Sequence, residues 1–170
     1  HQSVLFAATL DPIDSLAAEY GIPAERLGIV RAEGNQTGPY RTAIDARVDT
    51  RQRAREKHYG TTAVTAAALA ENAPAAVAVF FPSHAYAEAV ETYLGVTAPH
   101  LRVERQPVSG ETAVREEFLR WAPRRADLLL LVLGGSFAEA VDELGEELAA
   151  AMVVGPGLPE WSALRRYRSA

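Results

Sequence analysis

The segment Asp127–Leu144, DLLLLVLGGSFAEAVDEL, decides how the rest of the chain is read. Leu128–Leu133 is an unbroken aliphatic run, too short for a buried helix and without the alternation of a half-exposed strand. Such a run predicts a strand covered on both faces, as in a parallel sheet between two helical layers. Gly134 and Gly135 then form a corner, Ser136 follows, and two carboxylates stand three residues apart, Glu139 and Asp142. Ligands of parallel sheets gather beyond the carboxyl ends of the strands. The acids after this corner therefore face a phosphate-bearing ligand, a metal or solvent.

Working outward, apolar runs alternate with helical patterns. VLFAATL (4–10), RLGIVRA (26–32), AAVAVFF (75–81), LRVERQ (101–106) and EELAAAMVVG (146–155) read as strands, and RTAIDARVD (41–49) as a half-exposed strand. PIDSLAAEY should form a helix with Asp11 as its cap, Pro12 in its first turn and Gly21 at its end. TRQRAREKHYGTTAVTAAALAEN (50–72) reads as one long helix with Gly60 as a weak point. HAYAEAVETYL is capped by Ser83 and closed by Gly95. GETAVREEFLRWA is amphipathic, and PEWSALRRYR (159–168) reads as a final helix. The alternation predicts βαβ units: a single α/β domain over residues 1–170, with a mainly parallel sheet and helices on both faces.

Composition excludes several functions. The chain is 48% hydrophobic and 23% charged, with no apolar run of membrane-spanning length and no basic-then-apolar leader, so a cytoplasmic protein with no membrane partner is expected. The net charge of −5 offers no global field for nucleic acid, so any such contact must be a local patch. Without cysteine there is no disulfide, thiol catalysis or iron–sulfur cluster. Lys57 is the only lysine, and no glycine precedes it in RAREKHYG, so the chain carries no G-x-x-x-x-G-K-[ST] loop. His1, His58, His84 and His100 lack ligand spacing, and no metal is expected on this chain. Ser83 and His84 are adjacent, which is unfavourable for a hydrolase triad, and DELG (142–145) lies too far past Leu133 for an acidic metal box. With no G-x-G-x-x-G after a strand, a small-nucleotide binder ranks last.

Two strand ends look suited to anions. In FFPSH a strand stops, proline turns the chain, and Ser83 caps a helix whose first N–H groups are free. QPVSGE repeats the device with Ser109 and Gly110. Two helix N-termini side by side would make a track for consecutive phosphates.

The series of segments resembles the motor domain of superfamily 2 DNA helicases of the XPD/DinG type. AATLDPIDSLAAEYGIP is similar to that family's third motif, S-[AG]-T-L with a following proline and helix. GNQTGPYRTAIDARVDTRQRAREKHYG resembles the stretch in which a strand leads to a Thr-Arg pair and a helix with a tyrosine. AVAVFFPSHAYAEAVETYL looks like the fourth motif, and LLLLVLGGSFAEAVDELGEELAAAMVVGPGLP like the fifth, G-x-[FL]-x-E-G-[IV]-D. Ala140 replaces the glycine of that fifth motif.

The resemblance implies a RecA-like three-layer sandwich of the P-loop NTPase type: the second motor domain of a helicase, as a fragment of a longer protein whose first RecA-like domain is its partner. ATP and Mg²⁺ would be bound mainly by that first domain, leaving no complete catalytic set here. Thr9, Gly135, Glu139 and Asp142 would lie along the ATP cleft and couple it to the grip on single-stranded DNA. Arg51, Ser83, His84 and Ser109 would contact the DNA backbone. The alternative is a RecA-like module that has lost its motor role, kept for docking a protein partner; Ala140 speaks for it.

Overall fold

The computed structural model describes residues 12–30, 41–109, 111–134, 137, 144–145 and 147–156. The chain divides into two compact units, residues 1–43 and 44–170. The first unit contains helix α1 (Ile13–Glu19) and a 3₁₀ turn at Ala24–Arg26. Pro12 stands at the N-cap of α1 in extended conformation. The helix ends as the sequence predicts, at Gly21 with φ +61°. Gly21 N–H bonds the Ala18 carbonyl at 3.1 Å and Ile22 N–H bonds the Ala17 carbonyl at 2.8 Å. This is a Schellman closure, whose left-handed position glycine fills without a Cβ penalty. The strand expected at 4–10, the cap Asp11 and the helix expected at 159–168 lie outside the described residues. No strand forms over the described part of the 26–32 stretch, residues 26–30.

The second unit is a doubly covered parallel sheet. Helix α2 (Tyr59–Glu71) precedes strand β1 (Ala76–Phe81), helix α3 (His84–Thr97), strand β2 (Val103–Arg105), helix α4 (Thr112–Arg125), strand β3 (Leu128–Val132) and strand β4 (Leu148–Val153). The sheet order is β2-β3-β1-β4, and every pairing is parallel. Val77, Val79 and Phe81 of β1 and Leu128 and Leu130 of β3 pack with α2 and α3. The alternate residues Ala78, Phe80, Leu129 and Leu131 pack with Phe118, Leu119 and Ala122 of α4 on the other face. This two-sided burial is why the 128–133 run carries no polar residue. Burying each such leucine contributes about 1.5–3 kcal/mol. The arrangement is the α/β sandwich of the RecA-like type that the sequence pattern and the resemblance predict together.

Three boundaries differ from expectation. The stretch 41–49 is not a strand. Asp45 accepts the N–H of Arg47 at 3.0 Å, and Asp49 accepts that of Arg51 at 3.1 Å. These are successive Asx turns, in which an aspartate side chain replaces a ladder partner and mimics strand alternation in sequence. The helix expected from residue 50 begins only at Tyr59. Residues 50–58 offer a single apolar side chain, Ala54, and make turns and a 3₁₀ segment at Arg55–His58 instead. Nor does Gly95 end α3. The helix runs on to Thr97 and stops where buried Ala98 leaves the helical region, at φ −142° and ψ 58°, just before Pro99.

Candidate nucleic-acid interface at the carboxyl edge of the sheet

The strands β1 and β3 are neighbours, and their carboxyl ends are joined by a bond of 2.8 Å from Leu133 N–H to the Phe81 carbonyl. Beyond this point the two chains part. After β1 the chain enters α3 on one face. After β3 it turns at Gly134, φ +72°, and Phe137 and Leu144 pack on the opposite face with α4. Adjacent strands whose connections leave to opposite faces open a crevice, the usual ligand position of such sheets.

Ser83 and His84 stand at that crevice. Ser83 is extended, φ −163° and ψ 155°, and its Oγ accepts the Tyr86 N–H at 3.3 Å, so it is the N-cap that the sequence predicts. His84 opens the helix, and its Nδ1 is buried without a hydrogen-bond partner among the described residues. The N–H groups of His84 and Ala85 have no acceptor among the described residues, which leaves them as the orphan donors of a helix start. Ser109 lies farther along. Its Oγ accepts the Glu111 N–H at 3.3 Å, while the N-cap of α4 is Glu111 itself, with no side-chain cap. The two helix N-termini are therefore not side by side: β3 lies between their strands, and α3 and α4 cover opposite faces.

Arg51 is engaged within its own turn. Its Nε donates to Asp49 Oδ1 at 2.9 Å, and its Nη2 bonds Asp49 Oδ2 as well. The guanidinium holds the Asp49 carboxyl well below the usual carboxylate range. Thr9, Gly135, Glu139 and Asp142 lie outside the described residues. Among the described residues no group of three His, Asp or Glu side chains comes together as a metal site would require.

Three residues of this edge were not legible in the sequence. Gln106, just past β2 and only 4% exposed, accepts the Val132 N–H at 2.8 Å through its Oε1 and fastens the ends of β2 and β3 together. Its backbone N–H bonds the Leu130 carbonyl at 2.9 Å. Tyr86 is fully buried between Phe81 and Tyr59, with ring centroids 5.4 and 4.9 Å away. Burial pushes its phenol above the ordinary value. Arg55 lies over the Tyr86 ring, its guanidinium carbon 5.2 Å from the centroid. The pattern of aromatics at 59, 81 and 86 was the one available signal.

Residues 66–169 match the family of the helicase C-terminal domain. That is more than half of the chain, and the chain belongs to this family. It carries a helicase motor domain. No curated protein and no solved structure matches it. Among the described residues no helix is long and apolar enough to cross a membrane.

Proposed function

We propose that the chain is the second RecA-like motor domain of an XPD/DinG-type DNA helicase, gripping single-stranded DNA and forming one wall of the inter-domain ATP cleft. One observation carries this reading: FPSH and LGGS leave neighbouring strand ends that are hydrogen-bonded to each other. The segments that resemble the fourth and fifth motifs thus start from one crevice.

In this reading Ser83 and His84 hold a backbone phosphate through the start of α3, where N–H groups and the helix dipole favour an anion. Ser109 marks the far end of the same edge. Gly135, Glu139 and Asp142, which follow β3, line the nucleotide cleft, and Thr9 serves the same coupling. ATP and Mg²⁺ are held chiefly by the first motor domain, and the two lobes close on ATP binding and open after hydrolysis. Linking the phosphate grip to the cleft through one crevice turns that cycle into movement along the strand.

The purified 170-residue chain tests the proposal. It should bind a labelled oligothymidylate weakly and with strong salt dependence, and it should hydrolyse no ATP, because it has no P-loop lysine. A robust ATPase rate from the chain alone refutes the reading. The second reading, a docking module, is favoured by Ala140. In the parent protein, a gain in DNA-stimulated ATPase from Ala140→Gly favours a damaged motor, and no change favours the docking module.

A further inference from the structure

The segment between the Asx turns and α2 is strongly basic: Arg51, Arg53, Arg55 and Lys57 fall within seven residues. The fold brings this segment to the carboxyl edge of the sheet. Gly155, just beyond β4, sits so close to Thr50 that an added Cβ would be 2.6 Å from its Oγ1. Arg55 reaches Tyr86 in the first turn of α3. The segment therefore runs from the end of β4 to the end of β1, beside Ser83 and His84.

The two arginines that bracket this run are held in opposite ways. Arg51 gives the edge of its guanidinium to Asp49, so charge and donors are both taken up. Arg55 is half-buried, with its guanidinium carbon over the Tyr86 ring. An aromatic ring beneath a cation attracts it without neutralising it and leaves its N–H donors available. No carboxylate of the described residues is within ion-pair distance of Arg55, Arg53 or Lys57. A fixed, unneutralised guanidinium suits bidentate binding of a phosphate better than a mobile one, because less freedom is lost on binding.

We infer that Arg55, seated on Tyr86 and flanked by Arg53 and Lys57, is the principal phosphate-binding cation of this edge, and that its ligand is the backbone of a single nucleic-acid strand lying across the end of β1. The inference rests on the single-strand reading above and moves the electrostatic grip from Arg51 to Arg55. His84 and Ala85 then supply N–H donors beside it.

The test measures fluorescence anisotropy of a labelled oligothymidylate of about 12 nucleotides with the full 170-residue chain, over a salt series. The variants are Arg55→Ala, Arg55→Gln and Arg102→Ala, the last at the opposite edge. Arg55→Ala should weaken binding roughly fivefold at low salt, and the slope of log K against log salt should fall by about 0.7, one phosphate contact. Arg102→Ala should leave affinity and slope as they are. Arg55→Gln keeps length without charge, and it decides the matter should the alanine variant melt early; the same loss of slope is expected. If the wild-type chain binds no oligonucleotide, the single-strand reading fails and takes the inference with it. If the wild-type chain binds and the Arg55 variants match it in affinity and slope, the inference alone is overturned.

Discussion

The two ends of the sheet treat charge differently. At the amino end, charged side chains find partners from the neighbouring elements. Asp127 accepts the Arg102 backbone N–H at 2.8 Å and its Nη2 at 2.7 Å. Arg124 donates to Glu147 at 3.0 Å, and His100 meets Glu71 at 3.0 Å. These pairs join the segments entering β2 and β3, the end of α4 with the entry to β4, and the end of α2 with the turn before β2. At the carboxyl end, Ser83 serves its own helix, His84 keeps a buried nitrogen without a partner, and Arg55 has an aromatic ring where its counterparts have carboxylates. Exposed ion pairs contribute little stability each, so the contrast is one of availability. Arg51 and Arg105 are paired at the carboxyl end too, with Asp49 and Glu91, so the contrast rests on Arg55 and His84.

The sharpest way to break that contrast is at Tyr86. Tyr86→Ala should cost about 3–5 kcal/mol, as large-to-small changes in a packed aromatic core do. Tyr86→Phe keeps the ring beneath Arg55 and removes a buried hydroxyl without a hydrogen-bond partner, so it should be neutral or stabilising. Chemical denaturation of both variants checks this, and a large loss in the phenylalanine variant would mean that the hydroxyl is satisfied after all.

Next comes Gly155, at φ +78° with Thr50 against it. Gly155→Ala combines a left-handed backbone with a steric clash and should cost about 1–3 kcal/mol or somewhat more. It should also loosen the basic segment, so oligonucleotide affinity should fall along with the melting temperature. Loss of stability without loss of binding would separate that segment from the interface.

The smallest effect belongs to the amino end. Arg102 holds the Asp127 carboxyl below its ordinary value, mainly through the side-chain hydrogen bond. A depressed carboxylate stabilises the fold above its unfolded pKa of about 3.9, and the contribution disappears as pH falls through the folded value. Asp127→Asn should therefore lower stability near neutral pH by no more than about 1 kcal/mol, since the pair is largely exposed. The difference from wild type should shrink below about pH 4, as read from melting curves over a pH series. A difference that does not shrink at all as the pH is lowered would show that the side chain acts by packing rather than charge. None of these amino-end changes should alter oligonucleotide binding.

Much of the architecture could be read from residue order. The aliphatic runs at 76–81 and 128–132, the cap at Ser83 and the closure at Gly21 all fall where their chemistry predicts. The errors came from local substitutes for regular structure. Asx turns at Asp45 and Asp49 imitated a strand, and the basic run 51–58 lacked the apolar stripe that a helix needs to dock. The site was less legible. Ser83 can be read as a cap because a cap and a strand end are sequence-local. Sequence spacing cannot tell an arginine that turns back on an aspartate, as Arg51 does, from one that lies over a distant ring, as Arg55 does.

The sequence by itself determined the layering, because a run apolar at every position can be buried only between two helical faces. It also determined the family, through the matched segment 66–169. Only the tertiary structure decided the strand order, which sets β3 between the strands leading into α3 and α4 and so splits the expected phosphate track. It likewise decided which cations remain available, since that depends on contacts between residues such as Arg55 and Tyr86, 31 positions apart in the chain.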